Sequence, residues 1–439
     1  MTRARSLTAF AATFRTLIAA ASACGLVACS SGGGDAAAGG QGGSVLSGGN
    51  FNAGGAVANT GGSSGGSGSG GAAVAGAGGV ASAGQAGSLA GGSAGSAGAA
   101  GGGYVPSGPC SPPIDTNQPL EKLSQTGCMD ANDLKKMASI VVPYDVNSPL
   151  WSDSAVKTRG VRLPDGQKIH VKNCTANPDD CVFGPEDDGR WVFPVGTVLV
   201  KNFLFDDKFV ETRLFVRRDT KNWVGYGYQW NEAQTEATIV PDDGKTVTFN
   251  TGQRMVSWAY PSRYDCMLCH NKPGGSSIGP ETRQLNRMMG GENLLDKFDR
   301  LGMFETAPPK PYLAPLVTPY QSAEGKPPDG TSKEELARSY LHANCSFCHR
   351  ADGNDGTIDL RYGVSLAKMN VCNAVPKKGG AGLTKYTVLT PGKPEESVIS
   401  ARMGTLDDMA RMPQIGTYVV DTSGTKLVND WINSVQACP

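Results

Sequence analysis

Cys266-Met267-Leu268-Cys269-His270 and, 79 residues further on, Cys345-Ser346-Phe347-Cys348-His349 are the stretches from which the rest of the chain is read. In each, two thiols three positions apart can form thioethers with the two vinyl groups of a haem. The adjacent histidine, one helical step on, supplies an axial nitrogen to the iron. The spacing predicts two haem c groups, held by Cys266, Cys269, Cys345 and Cys348, with His270 and His349 as proximal iron ligands. Cys-x-x-Cys alone also serves zinc knuckles and redox dithiols. A zinc site wants two nearby pairs, however, and a dithiol has no need of a histidine directly after its second cysteine, let alone twice.

Haem c attachment in bacteria takes place outside the cytoplasm, and the N-terminus points the same way. Arg3, Arg5 and Arg15 precede an apolar run from Leu17 to Ala21 that continues through Gly25-Leu26-Val27-Ala28 to Cys29. This is too short and too lightly apolar for a membrane span and reads as a signal peptide. Its end resembles the bacterial lipoprotein signal, which makes Cys29 the candidate for lipidation; cleavage near Ala23 or Ala28 without lipid is the alternative. Residues 1–29 are thus the expected signal and 30–104 a tether, since that stretch holds 30 of the 60 glycines and Asp35 as its one charge. As a flexible coil it would span about 45–50 Å, enough to hold a folded body off a membrane surface.

The remaining 335 residues suffice for two cores. Removing Arg3, Arg5, Arg15 and Asp35 from the 40 basic and 40 acidic residues leaves 37 and 39, a balance that gives no support for a nucleic-acid partner. Of twelve cysteines, Cys24 goes with the signal, Cys29 takes lipid and four take haem. The six left pair by proximity as Cys110–Cys128, Cys174–Cys181 and Cys372–Cys438 in an oxidising compartment.

The fold expected is multidomain: an N-terminal antiparallel β domain, sandwich or partly open barrel, followed by an α-helical di-haem region. Residues 105–142 form a connecting segment with a short helix around Ala131 to Ser139. Over 143–260, strand-like runs such as Gly196 to Phe205, Phe209 to Arg217, Trp223 to Trp230 and Thr246 to Asn250 alternate with turn clusters. In Trp223 to Trp230 the period of two puts Val224, Tyr226, Tyr228 and Trp230 on one face and Gly225, Gly227 and Gln229 on the other. That is either an aromatic core with glycines where another layer packs closely, or a stacking surface for a planar ligand. From 261 the pattern turns helical: Glu281 to Met289, Glu292 to Arg300, Lys333 to Arg350, Glu395 to Arg402 and Gly424 to Val435. Residues 261–330 carry the first haem motif, and 331–439 resemble a cytochrome c domain.

Met412-Pro413, 63 residues after His349, is where such a domain places its sixth iron ligand, so Met412 is the candidate, with Met403 and Met409 as competitors. The first haem has no methionine at that distance. Of the two remaining histidines, His170 shares a strand face with Lys168 and Lys172, whereas His342 lies two turns before His349 and is the possible distal ligand of the first haem. The acidic run Asp352 to Asp359 lacks the register of a calcium loop and reads as a polar turn.

The chain resembles a family of exported bacterial di-haem c-type cytochrome proteins that carry no settled reaction. The likeness rests on Tyr144-Asp-Val-Asn-Ser-Pro-Leu-Trp-Ser-Asp153, Phe193-Pro-Val-Gly-Thr-Val-Leu-Val-Lys201, Glu211-Thr-Arg213, Tyr260-Pro-Ser-Arg263, Gln284-Leu-Asn286, Ser339 to Cys345 and Met412-Pro413. It implies that both motifs bind haem and that the β region is an integral partner of the haem region. The function expected is electron transfer to or from a periplasmic or surface redox partner by a lipid-anchored protein. The alternatives are a haem oxidoreductase, peroxidase-like, with an open sixth position on the first haem, and a ligand- or carbohydrate-binding β domain coupled to a haem relay. The 79-residue spacing is short for two full cytochrome domains and argues against the peroxidase.

Overall fold

The computed structural model describes residues 109–112, 119–182, 184–322 and 324–439. The signal, Cys29 and the tether lie outside these.

The β region is antiparallel, as its alternation predicted. A six-stranded sheet runs in the order β1 (Val142–Tyr144), β2 (Val156–Arg162), β5 (Val198–Phe205), β6 (Lys208–Arg217), β7 (Trp223–Trp230) and β8 (Ala237–Ile239). Between β2 and β5 lies the short ladder β3 (His170–Val171) with β4 (Trp191–Val192), and after β8 the hairpin β9 (Lys245–Asn250) with β10 (Met255–Tyr260). The sheet is open, with β1 and β8 as its edges, and the hairpin is a separate partner layer and not a closing strand.

Register assigns the two faces. Val200, Leu214 and Tyr226 are cross-strand neighbours, as are Val198, Val216 and Val224. With Tyr228 and Trp230 they form one buried core under Leu123, Met129 and the Cys110–Cys128 disulfide. The aromatic row is therefore interior. The opposite face carries Leu199, Lys201 and Phe203 on β5, Glu211, Arg213 and Phe215 on β6, and Gly225 and Gly227 on β7. One end of that face packs on Trp258 and Tyr260 of the hairpin, the other on Trp191, Phe298 and Phe304. The middle is left for the first Cys-x-x-Cys-His motif.

The expected helix over Ala131 to Ser139 is a chain of turns instead. The Asp130 carboxylate accepts the N–H groups of Asn132 and Asp133, which offers the backbone an alternative to the helical ladder. Beyond 261 the helices are α1 (Arg263–Cys269), α2 (Thr282–Leu285), α3 (Leu294–Arg300), α4 (Lys333–Cys345), α5 (Val398–Met403) and α6 (Thr422–Ser434), with a small hairpin, β11 (Met288–Met289) and β12 (Glu292–Asn293), between α2 and α3. The helical expectation is met only in part: α2 stops at Leu285 and α4 at Cys345, and much of the region is loop. α4 starts at a capping box in which Ser332 and Glu335 satisfy each other's backbone N–H. It packs on α6 through Tyr340, Leu341, Val428 and Trp431, with Leu427 and Val435 in the same core. The approach is close: a β-carbon at Gly424 would stand 2.4 Å from the Tyr340 ring. The Cys372–Cys438 disulfide ties the end of the chain to this core, and Cys174–Cys181 closes a loop after β3.

Candidate functional site

The first motif sits on α1, which starts at a capping box between Ser262 and Asp265. The helix lies on the sheet where the glycines of β7 leave room, and a β-carbon at Gly225 would stand 3.1 Å from Cys266 Sγ. His270 follows the last turn, its backbone N–H donating to Cys266 O at 2.9 Å. Its ring centroid is 3.9 Å from that of Phe215, and Nδ1 is bonded to the Ser276 carbonyl. A carbonyl only accepts, so the proton is on Nδ1 and the Nε2 lone pair is free. Burial pushes this imidazole down to about 3, against the pull of the Ser276 carbonyl, and so keeps it in the neutral form that a metal requires.

The second motif begins at Cys345, the last residue of α4, and continues as the turn that follows it. Cys348 N–H and His349 N–H both donate to Cys345 O, at 3.1 and 2.9 Å. Burial lowers the His349 pKa as well; its Nδ1 is buried without a hydrogen bond, 3.8 Å from Asp355 Oδ2.

Each motif opens onto its own chamber. That of Cys266, Cys269 and His270 has about 1220 Å³, between the sheet face and Trp151, Phe347 and Ile415. That of Cys345 and His349 has about 840 Å³ and is walled by Leu360, Val388, Met403 and Met412. Met412 thus faces the same space as His349, while Met409 is 89% exposed and lies outside it. The loop that carries Met412 continues through Pro413, Ile415 and Thr417 into the wall of the first chamber. Asp153 holds this loop, its carboxylate accepting from the backbone N–H of Tyr418 (2.9 Å) and Val419 (3.0 Å).

The two motifs, 79 residues apart in sequence, touch. Asn271 Nδ2 donates to Phe347 O at 3.0 Å, Asn354 Nδ2 to Leu268 O at 2.8 Å and Cys348 Sγ to Leu268 O at 3.7 Å. The Cys269 and Cys348 thiols lie within hydrogen-bonding reach of each other, a contact that with burial pushes the Cys269 pKa up. Among the described residues these four motif cysteines are the ones left free, while the other six form the three expected disulfides.

The remaining candidates are placed elsewhere. Tyr362 N–H donates to His342 Nδ1 at 3.0 Å, which leaves Nε2–H to donate to Glu281 at 3.0 Å. Both nitrogens are engaged, and His342 lines neither motif chamber. His170 bonds Asp180 and Glu305, away from both. Met288 is exposed, and Met303 belongs to the core around Phe298.

Sequence reading passed over two features. Asp187 is 0% exposed and binds Arg190 at 2.9 Å, with Arg350 and Arg361 on the same oxygen. Arg190 also donates to Pro273 O, and Arg350 directly follows His349, so one carboxylate braces both motifs. Glu211, also fully buried, accepts twice from Arg213 and once from Trp258, each at 2.8 Å, on the wall of the first chamber. The legible signal was a charge at an inward strand position, as in Glu211-Thr-Arg213 and at Lys201.

Compared with known proteins, the chain matches no family model, no curated protein and no solved structure.

Proposed function

We propose that this protein is an exported, lipid-anchored di-haem c-type cytochrome that passes electrons to or from a periplasmic or surface redox partner. The observation that carries the reading is the contact of the two Cys-x-x-Cys-His motifs through the hydrogen bonds of Asn271, Asn354 and Cys348, each motif with its histidine beside its own chamber. The residues fit the group: thiols kept out of disulfides, an imidazole with Nε2 free at the first site, and a partly open cavity beside each. Bound there, haem c supplies one-electron redox chemistry.

The chain's own contribution is placement. Cys269 against Cys348 brings the two attachment edges together, and the hydrogen bonds from Asn271 and Asn354 hold that approach. Asp153 positions the Met412 loop, so that the Met412 thioether would be available as the sixth ligand of a haem at the second site, where it would raise the potential. Zinc has little support: among the described residues no three His, Cys, Asp or Glu converge on a metal position. Nor do Tyr226, Tyr228 and Trp230 offer a carbohydrate a stacking surface, being buried. The oxidoreductase remains the second reading, because no methionine and no histidine but His270 lines the first chamber.

The test is the full chain produced with a haem c maturation system. Its intact mass should carry two haems, and sub-stoichiometric reductant should distribute between them at a rate independent of protein concentration. Colourless protein refutes the cytochrome; a concentration-dependent rate refutes the internal relay.

A further inference from the structure

Among the described residues Lys201 is the one lysine on the wall of the first chamber, and it stands in a row of like charges. Its β5 register sets it opposite Arg159 of β2 and Arg213 of β6. A row of three cations is unfavourable unless each is matched. Arg159 has Asp145 at 2.6 Å and Glu324 at 2.9 Å, and Arg213 has Glu211. The neighbouring Lys157 has Glu324 at 3.1 Å. Among the described residues Lys201 has no hydrogen bond and no ion pair. Its Nζ stands over the Phe203 ring, 5.2 Å from the centroid.

The amine's free side is turned to space. Lys201 lines the first chamber together with His270, and also an adjoining polar cavity of about 680 Å³ with Arg159, Arg190 and Arg350. Glu211, in the first chamber, is committed to Arg213 and Trp258, and arginine does not deprotonate to become a ligand. That leaves Lys201 as the uncommitted nitrogen donor beside His270.

We propose that Lys201 supplies the sixth ligand to the iron of the first haem. This rests on the di-haem reading and completes it. Burial, reinforced by Arg159, Lys157 and Arg213, holds the lysine pKa well below its ordinary value and so favours the neutral amine, the form with a lone pair to give. The two sites then differ in kind: His270 with Lys201 at the first, His349 with Met412 at the second. Methionine ligation raises a haem potential, so the first site is the stronger reductant. One electron passes from ferrous iron at the first site to ferric iron at the second, with no bond made or broken.

The experiment is paramagnetic resonance and a redox titration of the fully loaded chain, with Lys201→Ala and Lys201→Met. In the parent protein both ferric haems should be low-spin. Lys201→Ala should convert half of the low-spin signal to high-spin, and added methylamine should restore it. Lys201→Met should raise the lower of the two midpoint potentials. The proposal is overturned if Lys201→Ala leaves both haems low-spin, which would make the lysine a charge partner for a propionate or a small anion. It is overturned equally if the parent already shows one high-spin haem, which would favour the oxidoreductase. Fewer than two haems per chain would sink the di-haem reading itself.

Discussion

Replacing Asp187 by Asn should weaken the protein more than any surface change and show where the β region meets the two Cys-x-x-Cys-His motifs. Asp187 is 0% exposed, and Arg350, whose side chain is 3% exposed, has Asp187 as its carboxylate partner. Arg361 keeps Asp359 and lies near Glu186, but Arg350 would be left as a buried, uncompensated charge. Breaking such a pair costs about 3–5 kcal/mol. With a urea dependence of about 3 kcal/mol per molar, the midpoint should drop by about 1–1.7 M. Adding Arg350→Met to Asp187→Asn should recover part of that loss, since it removes the stranded charge. The same carboxylate gives a pH signature. Burial raises its pKa, but Arg190, Arg350 and Lys172 outweigh burial and hold it below the ordinary value. Its stabilisation is therefore complete above the unfolded value of about 4 and is lost as pH falls through the lower folded value. The parent should lose stability below about pH 4, and Asp187→Asn should flatten that acid limb. A cost under about 1 kcal/mol, or an acid limb unchanged in the variant, would refute the reasoning.

Further outcomes follow from other contacts. Replacing Cys372 and Cys438 by Ser opens a loop with a sequence separation of 66, and should cost about 4 kcal/mol in thermal or urea unfolding. Met412→Ala should lower the potential of the second haem and admit external ligands there. Met409→Ala should alter neither spectrum nor stability, and unchanged spectra for Met412→Ala would move the ligand to Met403. His342→Ala should leave the first haem's spectrum as it is while costing about 1–3 kcal/mol, because Glu281 and the Tyr362 N–H lose their partner; a change of spin state would contradict the engaged-nitrogen geometry.

Local pattern carried a good deal of this molecule. The alternation in Trp223 to Trp230 foretold a strand with glycines at a close approach, and the approaching layer is α1 with Cys266. Proximity paired the six structural cysteines correctly. Where short-range polar bonds compete with the helical ladder, as at Asp130, the same reasoning failed, and the helix over Ala131 to Ser139 is absent. The partners of His342 were hidden for a related reason: helical phase gives the side of a helix a residue is on, and neither Glu281 nor the Tyr362 amide is visible in that phase.

By itself the sequence determined where thiols and imidazoles fall along the chain and which residues share a strand face, because these depend on spacing of a few residues. Only the tertiary structure decided that Cys269 meets Cys348, that the Met412 loop walls both chambers, and that Lys201, between Arg159 and Arg213, is the member of its cross-strand row left without a carboxylate. Those are matters of strand register and long-range packing, in which partners come from segments up to hundreds of residues apart and no local period records them.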